Sequence, residues 1–294
     1  MLLIRLLSRL PLRVLYVLSD LFYLVLFYII RYRRKVIWTN LEMAYPEKSP
    51  REIRRLASRF YHNLADAVVE TIKSITFSQA ELCRRVVITD SKLIDSYVRE
   101  GKSALVVTAH CFNWEWALLR SSLYSPIPVD ALYTSLTNPR FDRLFLDLRG
   151  RFGCHMIRNE DFALQVLRTK KKQRIIAINA DQVPQPRSKQ FWTRFLNRDT
   201  AFIDMVEKLP RILDYSVFFM KVNRVSRGHF RIAFVPIADP PYPSGTHDIL
   251  NRYSRMVEEH IGEDPANWLW SHRRWKHPRP APGVAGDAKI GQKS

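Results

Sequence analysis

A histidine and a glutamate, His110 and Glu115, stand five residues apart in the segment Ser103–Leu123, SALVVTAHCFNWEWALLRSSL. An imidazole can take a proton from a hydroxyl group, and a carboxylate can hold one ring nitrogen and stabilise the imidazolium that forms. The pair is a candidate for activating an alcohol as a nucleophile, with His110 as general base and Glu115 orienting it. The spacing alone is weak evidence, because His and Glu recur at this distance by accident.

The elements around the pair favour a catalytic position. The run Ala104–Ala109 is short, apolar and rich in valine, which predicts a buried strand. Asn113 is expected to cap the helix that follows, with Glu115 in its first turn, where the helix dipole favours an ionised carboxylate. His110 then lies at the carboxyl end of a central strand, where open α/β sheets form their active sites.

A second predicted strand ends in the same kind of place. The apolar run Arg174–Ala180, RIIAINA, is followed directly by Asp181 and Gln182. The side chain of Asp181 is therefore a second candidate for the site.

Strands and helices alternate between residues 51 and 276 with no linker, which indicates one domain. We expect an α/β fold, a single mixed sheet flanked by helices, with an N-terminal membrane-associated helix. The expected division is a membrane anchor or interfacial helix over residues 1–35, a catalytic domain over 36–277 and a disordered tail over 278–294. Further predicted helices are Ser49–Ile75 with a capping box, Pro139–Arg149, Glu160–Lys170 and Thr246–Ile261; further strands are Pro128–Tyr133, Cys154–Ile157 and a hairpin of Ser216–Val222 with His229–Pro236.

The most hydrophobic stretch is Leu12–Ile30, which ends in LFYLVLFYII and precedes a basic cluster over residues 31–35. Its length suits a bilayer crossing, whereas Arg13, Asp20 and the interleaved tyrosines suit a helix lying in the interface. Both arrangements remain open, with a long buried core helix as the third. The basic cluster favours a cytoplasmic position for the main body under the positive-inside rule, although Arg5, Arg9 and Arg13 on the other flank weaken that argument.

The chain carries 47 Lys and Arg residues against 28 Asp and Glu residues, a net charge of +19. So basic a surface indicates a polyanionic partner: nucleic acid, an anionic membrane surface or a phosphorylated substrate. No recognisable nucleic-acid module accompanies the charge, so we expect no nucleic acid partner. The sequence also lacks dinucleotide-binding, Walker, GxSxG and HExxH patterns.

Three cysteines, Cys83, Cys111 and Cys154, are too few and too widely spaced for a disulfide framework or a zinc cluster. Cys111 directly follows His110 and is an alternative nucleophile, but its side chain is expected to point away from that of its neighbour. Without closely spaced ligands we expect no metal.

Four segments, taken in chain order after the membrane-like stretch, resemble the bacterial lipid A biosynthesis acyltransferases. These are the lauroyl and myristoyl transferases of the lysophospholipid acyltransferase superfamily. HCFNWE resembles the family's Hxxxx(D/E) motif, NPRFDRLFLDLR its NP-to-Arg segment, INADQ its strand-Asp segment and WLWSHRRWK its closing WxHRR motif. The resemblance spans roughly residues 10–277.

The resemblance implies a glycerolipid acyltransferase-like fold and an enzyme on the cytoplasmic face of the bacterial inner membrane. Such an enzyme moves a fatty acyl group from an acyl thioester to a hydroxyl of a phosphorylated glycolipid. The thioester is that of acyl carrier protein or of coenzyme A. It implies no resident cofactor.

The resemblance also implies roles for particular residues. Arg149 contacts an oxyanion or phosphate, with Arg151 as its rival, and Asp181 positions substrate or supports Arg149. Arg273 and Arg274 grip lipid phosphates, although packing is an equal explanation for the tryptophan-rich segment around them.

The chain departs from the best-known members after Asp181, where QVPQPRSKQFWTRFLN lacks an expected glycine. Acceptors such as lysophospholipids or amino-acid-containing lipids therefore remain open. A non-catalytic lipid-binding membrane protein is the alternative from another class.

Overall fold

The computed structural model describes residues 2–185, 189–243 and 245–279. Seven strands form one mixed sheet flanked by helices, and two more strands form a small antiparallel sheet. The predicted α/β class is confirmed. The predicted tail lies outside the described residues from residue 280 onward.

The α-helices are α1 Leu2–Arg9, α2 Leu12–Leu24, α3 Arg34–Ala44, α4 Pro50–Lys73, α5 Gln79–Arg85, α6 Lys92–Arg99, α7 Trp114–Tyr124, α8 Pro139–Arg149, α9 Asn159–Arg168, α10 Met205–Leu213 and α11 Asp248–Glu263. The strands are β1 Val86–Asp90, β2 Ala104–Thr108, β3 Val129–Tyr133, β4 Cys154–Arg158, β5 Ile175–Asn179, β6 Gln190–Phe195, β7 Arg198–Ile203, β8 Ser216–Ser226 and β9 His229–Ala238.

The strand order in the large sheet is β1-β9-β8-β2-β5-β3-β4. Strand β2 is central, parallel to β5 on one side and to β8 on the other, while β8 and β9 pair as the predicted antiparallel hairpin. Thr108 at the end of β2 lies opposite Asn179 at the end of β5. The residues that follow these two strands, including His110 and Asp181, therefore meet at one edge of the sheet.

Both faces of β2 are covered, which explains its continuous apolar sequence. Leu105 and Val107 join the apolar cluster that includes α10 and α11, and Ala104 and Val106 join the cluster that includes α7. All five residues of β2 are buried, so the strand gives the site a fixed base.

Helix α4 starts with the predicted capping box. The backbone N–H of Glu52 donates to Oγ of Ser49, and the backbone N–H of Ser49 donates to the Glu52 carboxylate at 2.8 Å. Helix α4 is 24 residues long, and the N-terminal helices α1, α2 and α3 pack against it.

The stretch Leu12–Ile29 is long and apolar enough to cross a membrane, with a mean hydropathy of 1.8. It continues from α2 into a π-helical turn over Val25–Ile29, and α2 packs along α4. Ser19 donates a hydrogen bond to Asp66 of α4 at 2.7 Å. The other side is exposed and apolar, with Val14, Val17, Leu18, Leu21, Leu24, Tyr28, Ile29 and Ile30 in contact with solvent.

An arginine fastens this segment to the rest of the molecule. Arg227, in the turn between β8 and β9, donates hydrogen bonds to Asp20 of α2 and to Asp66 of α4, both at 2.6 Å. Atoms of Asp20, His62 and Asp66 that could hold a metal ion lie within 4.8 Å of one another. Arg227 and Arg224 already pair with these two carboxylates, so this cluster is an ion-pair network.

Several elements were not predicted. Helices α5 and α6 with β1 between them occupy residues 79–99, and β6 and β7 form a hairpin before α10. Strand β1 is a partly exposed edge strand, so its sequence lacks the apolar run that identified β2. Predicted elements elsewhere match within a few residues, and α8 matches at both ends.

Candidate active site

His110 follows β2, and its imidazole is held by the carboxylate that follows β5. Nδ1 of His110 lies 2.6 Å from Oδ1 of Asp181. Oδ2 of Asp181 accepts from the backbone N–H of His110 at 2.9 Å and from Nε1 of Trp268 at 2.7 Å. Asp181 therefore fixes both the backbone and the ring of His110.

Asp181 is buried but remains ionised. Burial would raise its pKa, but the charge and hydrogen bonds of His110, together with the Trp268 hydrogen bond, outweigh burial and lower the pKa to about 2. An ionised partner requires Nδ1 to carry the hydrogen. Whenever the ring is neutral, Nε2 is then the acceptor, which is the arrangement a general base needs.

The expected hydrogen bond between Glu115 and His110 is not formed, and the prediction that Glu115 holds the imidazole is corrected to Asp181. The carboxylate of Glu115 instead accepts two hydrogen bonds from Arg149, from Nε at 2.9 Å and from Nη2 at 2.5 Å. Trp114 lies between the two groups: its Nε1 donates to Glu115 at 3.1 Å and its ring meets the His110 ring edge-on at 5.1 Å.

The Glu115–Arg149 pair is largely buried, with side-chain exposures of 6% and 22%. Burial alone would lower the pKa of Arg149, but the charge and hydrogen bonds of Glu115 outweigh burial and raise it. Arg149 therefore carries a fixed positive charge, oriented by a planar two-point contact.

His110, Glu115 and Arg149 line one cavity of about 860 Å³. The walls are mostly apolar. They come from α4, with Leu64, Val68 and Ile72, and from α8, with Phe141, Leu144, Phe145 and Leu148; Ile4 of α1 and Ile75, just after α4, also contribute. A cavity of this size and composition suits a ligand with a long aliphatic chain beside the three polar side chains.

The sequence matches known acyltransferases. Residues 1–277 match the model of a family described as "Bacterial lipid A biosynthesis acyltransferase". The chain belongs to this family. The curated lipid A biosynthesis lauroyltransferase of Escherichia coli (strain K12) is 22% identical over 246 residues, which cover 83% of this chain and 79% of that enzyme.

In this acyltransferase the segment WLWSHRRWK is a packing element. Trp268 and Trp270 are buried, and their rings meet edge-on at 4.8 Å. Nε2 of His272 accepts the backbone N–H of Val183 at 3.1 Å, and burial lowers the pKa of His272 to about 4. A neutral His272 thus fixes the start of the loop after β5, and Val183 is part of the cavity wall.

The two arginines of this segment lie away from the cavity. Arg274 is 2% exposed, donates to the backbone oxygen of Ala201 at 2.6 Å and lies over the ring of Phe202. Arg273 is exposed and does not line the cavity either. The prediction that Arg274 grips lipid phosphates is corrected to a packing role, because its guanidinium is enclosed by protein.

Arg151 and Cys111, which the sequence offered as alternative functional residues, do not line the cavity. Arg151 donates to the backbone oxygens of Ser74 and Phe77. Cys111 is buried, and burial raises its thiol pKa well above the usual value, which opposes a nucleophilic role. Asp181 contacts His110 rather than Arg149, so the expectation that it supports Arg149 is corrected.

Sequence reasoning missed two residues near the carboxyl end of the chain that hold the turn from His110 to Trp116 in place. Asn267 exchanges two hydrogen bonds with the backbone of Phe112, at 2.9 Å and 2.7 Å. Trp268, the next residue, reaches Asp181. Their position just before the WxHRR motif was the available signal, but local spacing cannot show that residues 267 and 268 lie beside residue 112.

Proposed function

We propose that this protein is a membrane-bound O-acyltransferase that moves a fatty acyl chain from an acyl thioester to a hydroxyl of a lipid A precursor. Acyl carrier protein is the proposed carrier of the chain. The observation that carries the proposal is the His110 imidazole, whose Nδ1 is held by an ionised Asp181 beside an apolar cavity.

The proposed reaction begins when Nε2 of His110 takes the proton of the acceptor hydroxyl while its oxygen attacks the thioester carbonyl carbon. The carbonyl π electrons move to oxygen and give a tetrahedral intermediate. Its collapse re-forms the carbonyl and breaks the carbon–sulfur bond, and the proton on His110 passes to the departing thiolate. The products are an ester and a thiol. General-base catalysis of this kind contributes about 10²- to 10⁴-fold.

Arg149 is the proposed oxyanion or phosphate contact. Glu115 uses Nε and Nη2 of the guanidinium, and the described residues provide no hydrogen-bond partner for Nη1. A cation fixed in advance stabilises developing charge without reorganising at the moment of reaction. Glu115 thereby serves catalysis by holding Arg149 instead of His110.

The proposed membrane contact is the exposed apolar side of α1 and α2, with α2 lying along the bilayer surface. Ser19, Asp20 and Tyr23 tie α2 to α4 and to Arg227. A helix bonded to the body along its length cannot also cross a bilayer with that body on one side. Arg5, Arg9, Arg13 and Arg31 are exposed nearby and would meet anionic headgroups of the cytoplasmic leaflet of a bacterial inner membrane.

The decisive experiment measures thiol release by the full chain in detergent, with acyl carrier protein or coenzyme A as acyl carrier and a lipid A precursor as acceptor. His110→Ala should lower the rate at least about 10²-fold. His155→Ala is the matched control, because His155 is exposed on β4 and does not line the cavity. Equal rates for His110→Ala and wild type would refute the proposal.

The same assay separates the alternatives. Transfer to a lysophospholipid or to an amino-acid-containing lipid, with none to the lipid A precursor, would reassign the acceptor. Acceptor binding without thiol release from either carrier would identify a non-catalytic lipid-binding protein.

A further inference from the structure

Glu70 is a buried carboxylate in α4 that faces the active-site turn. Its Oε1 accepts a hydrogen bond from the Tyr16 hydroxyl of α2 at 2.9 Å. Its Oε2 accepts from Nδ2 of Asn113 at 2.9 Å. The side chain therefore joins the N-terminal helix to the residue that begins α7.

The same residue holds the first turn of α7 at a second point. Oδ1 of Asn113 caps α7 by accepting the backbone N–H of Trp116 at 3.0 Å. Nε1 of Trp116 donates to the backbone oxygen of Glu70 at 2.9 Å. One position of α4 thus fixes both ends of the turn that contains Glu115.

The opposite side of this turn is held by Asn267, through its two hydrogen bonds to Phe112. His110 is held by Asp181. With these contacts in place, the segment between His110 and Trp116 is anchored at each end and in the middle, and Glu70 supplies the contact that comes from α4.

We propose that Glu70 is a positioning residue for the transfer reaction, which holds the turn from His110 to Trp116 through Asn113 and Trp116 and is itself held by Tyr16. The inference rests on the proposed function of His110. It also gives α2 a second role, because a residue of the membrane-facing helix completes the support of the site.

The charged side chains nearest Glu70 form ion pairs with other residues. Asp66, one turn earlier on α4, is paired with Arg224 of β8 and with Arg227. Arg85 of α5 approaches Tyr16 and Gly228, and Asp20 and His62 complete the cluster. Burial raises the pKa of Glu70 to about 7. Both forms satisfy the contacts, since the Tyr16 hydroxyl can donate to a carboxylate or accept from a carboxylic acid.

This chemistry allows a swap of the two partners. Asn113→Asp keeps the length and the cap of α7 but places a second carboxyl against Glu70, so that once both are ionised two acceptors face each other without a hydrogen. Glu70→Gln keeps a carbonyl for Asn113 and an amide for Tyr16. In the double variant the new amide at position 70 faces the new carboxylate at position 113, which restores the hydrogen bond with its direction reversed.

The experiment measures kcat and KM for thiol release per folded molecule, over a range of pH. We expect Asn113→Asp to lower kcat about 10- to 100-fold with KM within about twofold, because misplacement of the turn affects the chemical step. The loss should grow as pH rises and both carboxylates ionise. Glu70→Gln should stay within about threefold of wild type, and the double variant should recover most of the loss of Asn113→Asp.

Glu70→Leu tests the same contact without a new charge and should lower kcat to a similar extent. The matched control is Ser19→Ala, which removes a buried hydrogen bond between α2 and α4 that does not reach the turn. It should leave kcat unchanged even where it lowers thermal stability. If Glu70→Leu does not fold, the swap pair provides the test alone.

Wild-type kcat in Asn113→Asp, or a double variant no better than that single variant, would overturn the inference. Both results presuppose an active wild-type enzyme. Absence of thiol release by the wild type, with both carriers, would instead count against the proposed function.

Discussion

Asp181 forms two hydrogen bonds with His110, one between a carboxylate oxygen and the ring and one between the other oxygen and the backbone N–H. The ring cannot turn without losing the first contact, and the strand end cannot shift without losing the second. Trp268 adds a third hydrogen bond to the same carboxylate. The orientation of the proposed base is therefore set by a group on a neighbouring strand rather than by the helix that follows it.

Asp181→Asn should lower kcat about 10²- to 10⁴-fold with little change in KM. The amide keeps the shape of the carboxylate, but its NH₂ can face Nδ1 and stabilise the tautomer in which Nε2 carries the hydrogen. Steady-state thiol release checks this. Asp147→Asn on the exposed side of α8 is the control, and an equally small effect of both substitutions would contradict the assigned role.

Arg149→Lys should lower kcat about 10²-fold, because a lysine keeps the charge but cannot make the two-point contact with Glu115. Glu115→Gln should lower kcat by a similar factor, since it weakens the same contact. The two residues act as a unit, so the double variant should be little worse than Arg149→Lys alone. Strictly additive losses would show that Glu115 acts on another group.

The free energy of unfolding should fall as pH rises from 4.5 to 7, because Glu70 binds a proton more tightly in the folded state. Burial raises its pKa from 4.5 to about 7, so in this range the folded state holds a proton that the unfolded state has released. This contribution is fully present below pH 4.5 and is lost as pH rises through 7. Each unit of pKa difference corresponds to about 1.4 kcal/mol.

Denaturant unfolding of wild type and Glu70→Gln, in the same detergent, checks the prediction. The stability of wild type relative to Glu70→Gln should fall as pH rises across this range, because the glutamine does not titrate. A difference that is independent of pH would contradict it.

His272 should make the stability of the protein depend on pH in the acidic range. Burial lowers its pKa from 6.5 to about 4, so between these values the unfolded state binds a proton that the folded state does not. Stability from the neutral imidazole is present above pH 6.5 and is lost as pH falls toward 4. His272→Gln keeps an acceptor for the N–H of Val183 and should lose less stability over this range than wild type. Exposed His277→Gln controls for the loss of an imidazole.

The exposed side of α2 should control binding to anionic vesicles. Replacing Val17, Leu21 and Leu24 together with serine should weaken vesicle partitioning at least about tenfold, because each side chain loses apolar burial in the leaflet. Cosedimentation with vesicles measures this. Ile212→Ser on α10 is the control, since Ile212 is an exposed apolar residue on another helix.

Labelling distinguishes a helix lying along the membrane from one that spans it. With the exposed Cys83 replaced by serine and Cys111 and Cys154 left buried, Arg9→Cys and Tyr32→Cys should each react with a polar thiol reagent from outside sealed vesicles to which the protein is added. Protection of position 9 alone would indicate a spanning helix.

The sequence was sufficient for the strands and helices that build the site, because β2, β5 and α8 have clear hydrophobic periods and clear ends. It was sufficient for the placement of His110 and Asp181, because parallel strands bring their carboxyl ends to one edge. It was insufficient for the pairing between side chains. Glu115 is closer to His110 in sequence than Asp181 is, yet the first turn of α7 points Glu115 at Arg149.

Charged residues were the hardest to place from sequence. Arg274 lies among tryptophans and was expected at a lipid headgroup, but its guanidinium is enclosed between Phe202 and the backbone of Ala201. Asp20 suited a helix lying in the interface, and its partner Arg227, more than 200 residues away in the chain, could not be predicted. Both outcomes depend on long-range packing, which leaves no local pattern.

The ion pairs beneath α2 bear on how a detergent-free form of the protein should be made. Deleting residues 1–35 would uncover Asp66, Glu70 and Arg227, which α2 now shields from water. A shortened protein would lose activity for reasons unrelated to lipid access. Replacing outward residues such as Leu21 and Ile29 with polar ones keeps the buried contacts, and is the better route to a sample for crystallisation.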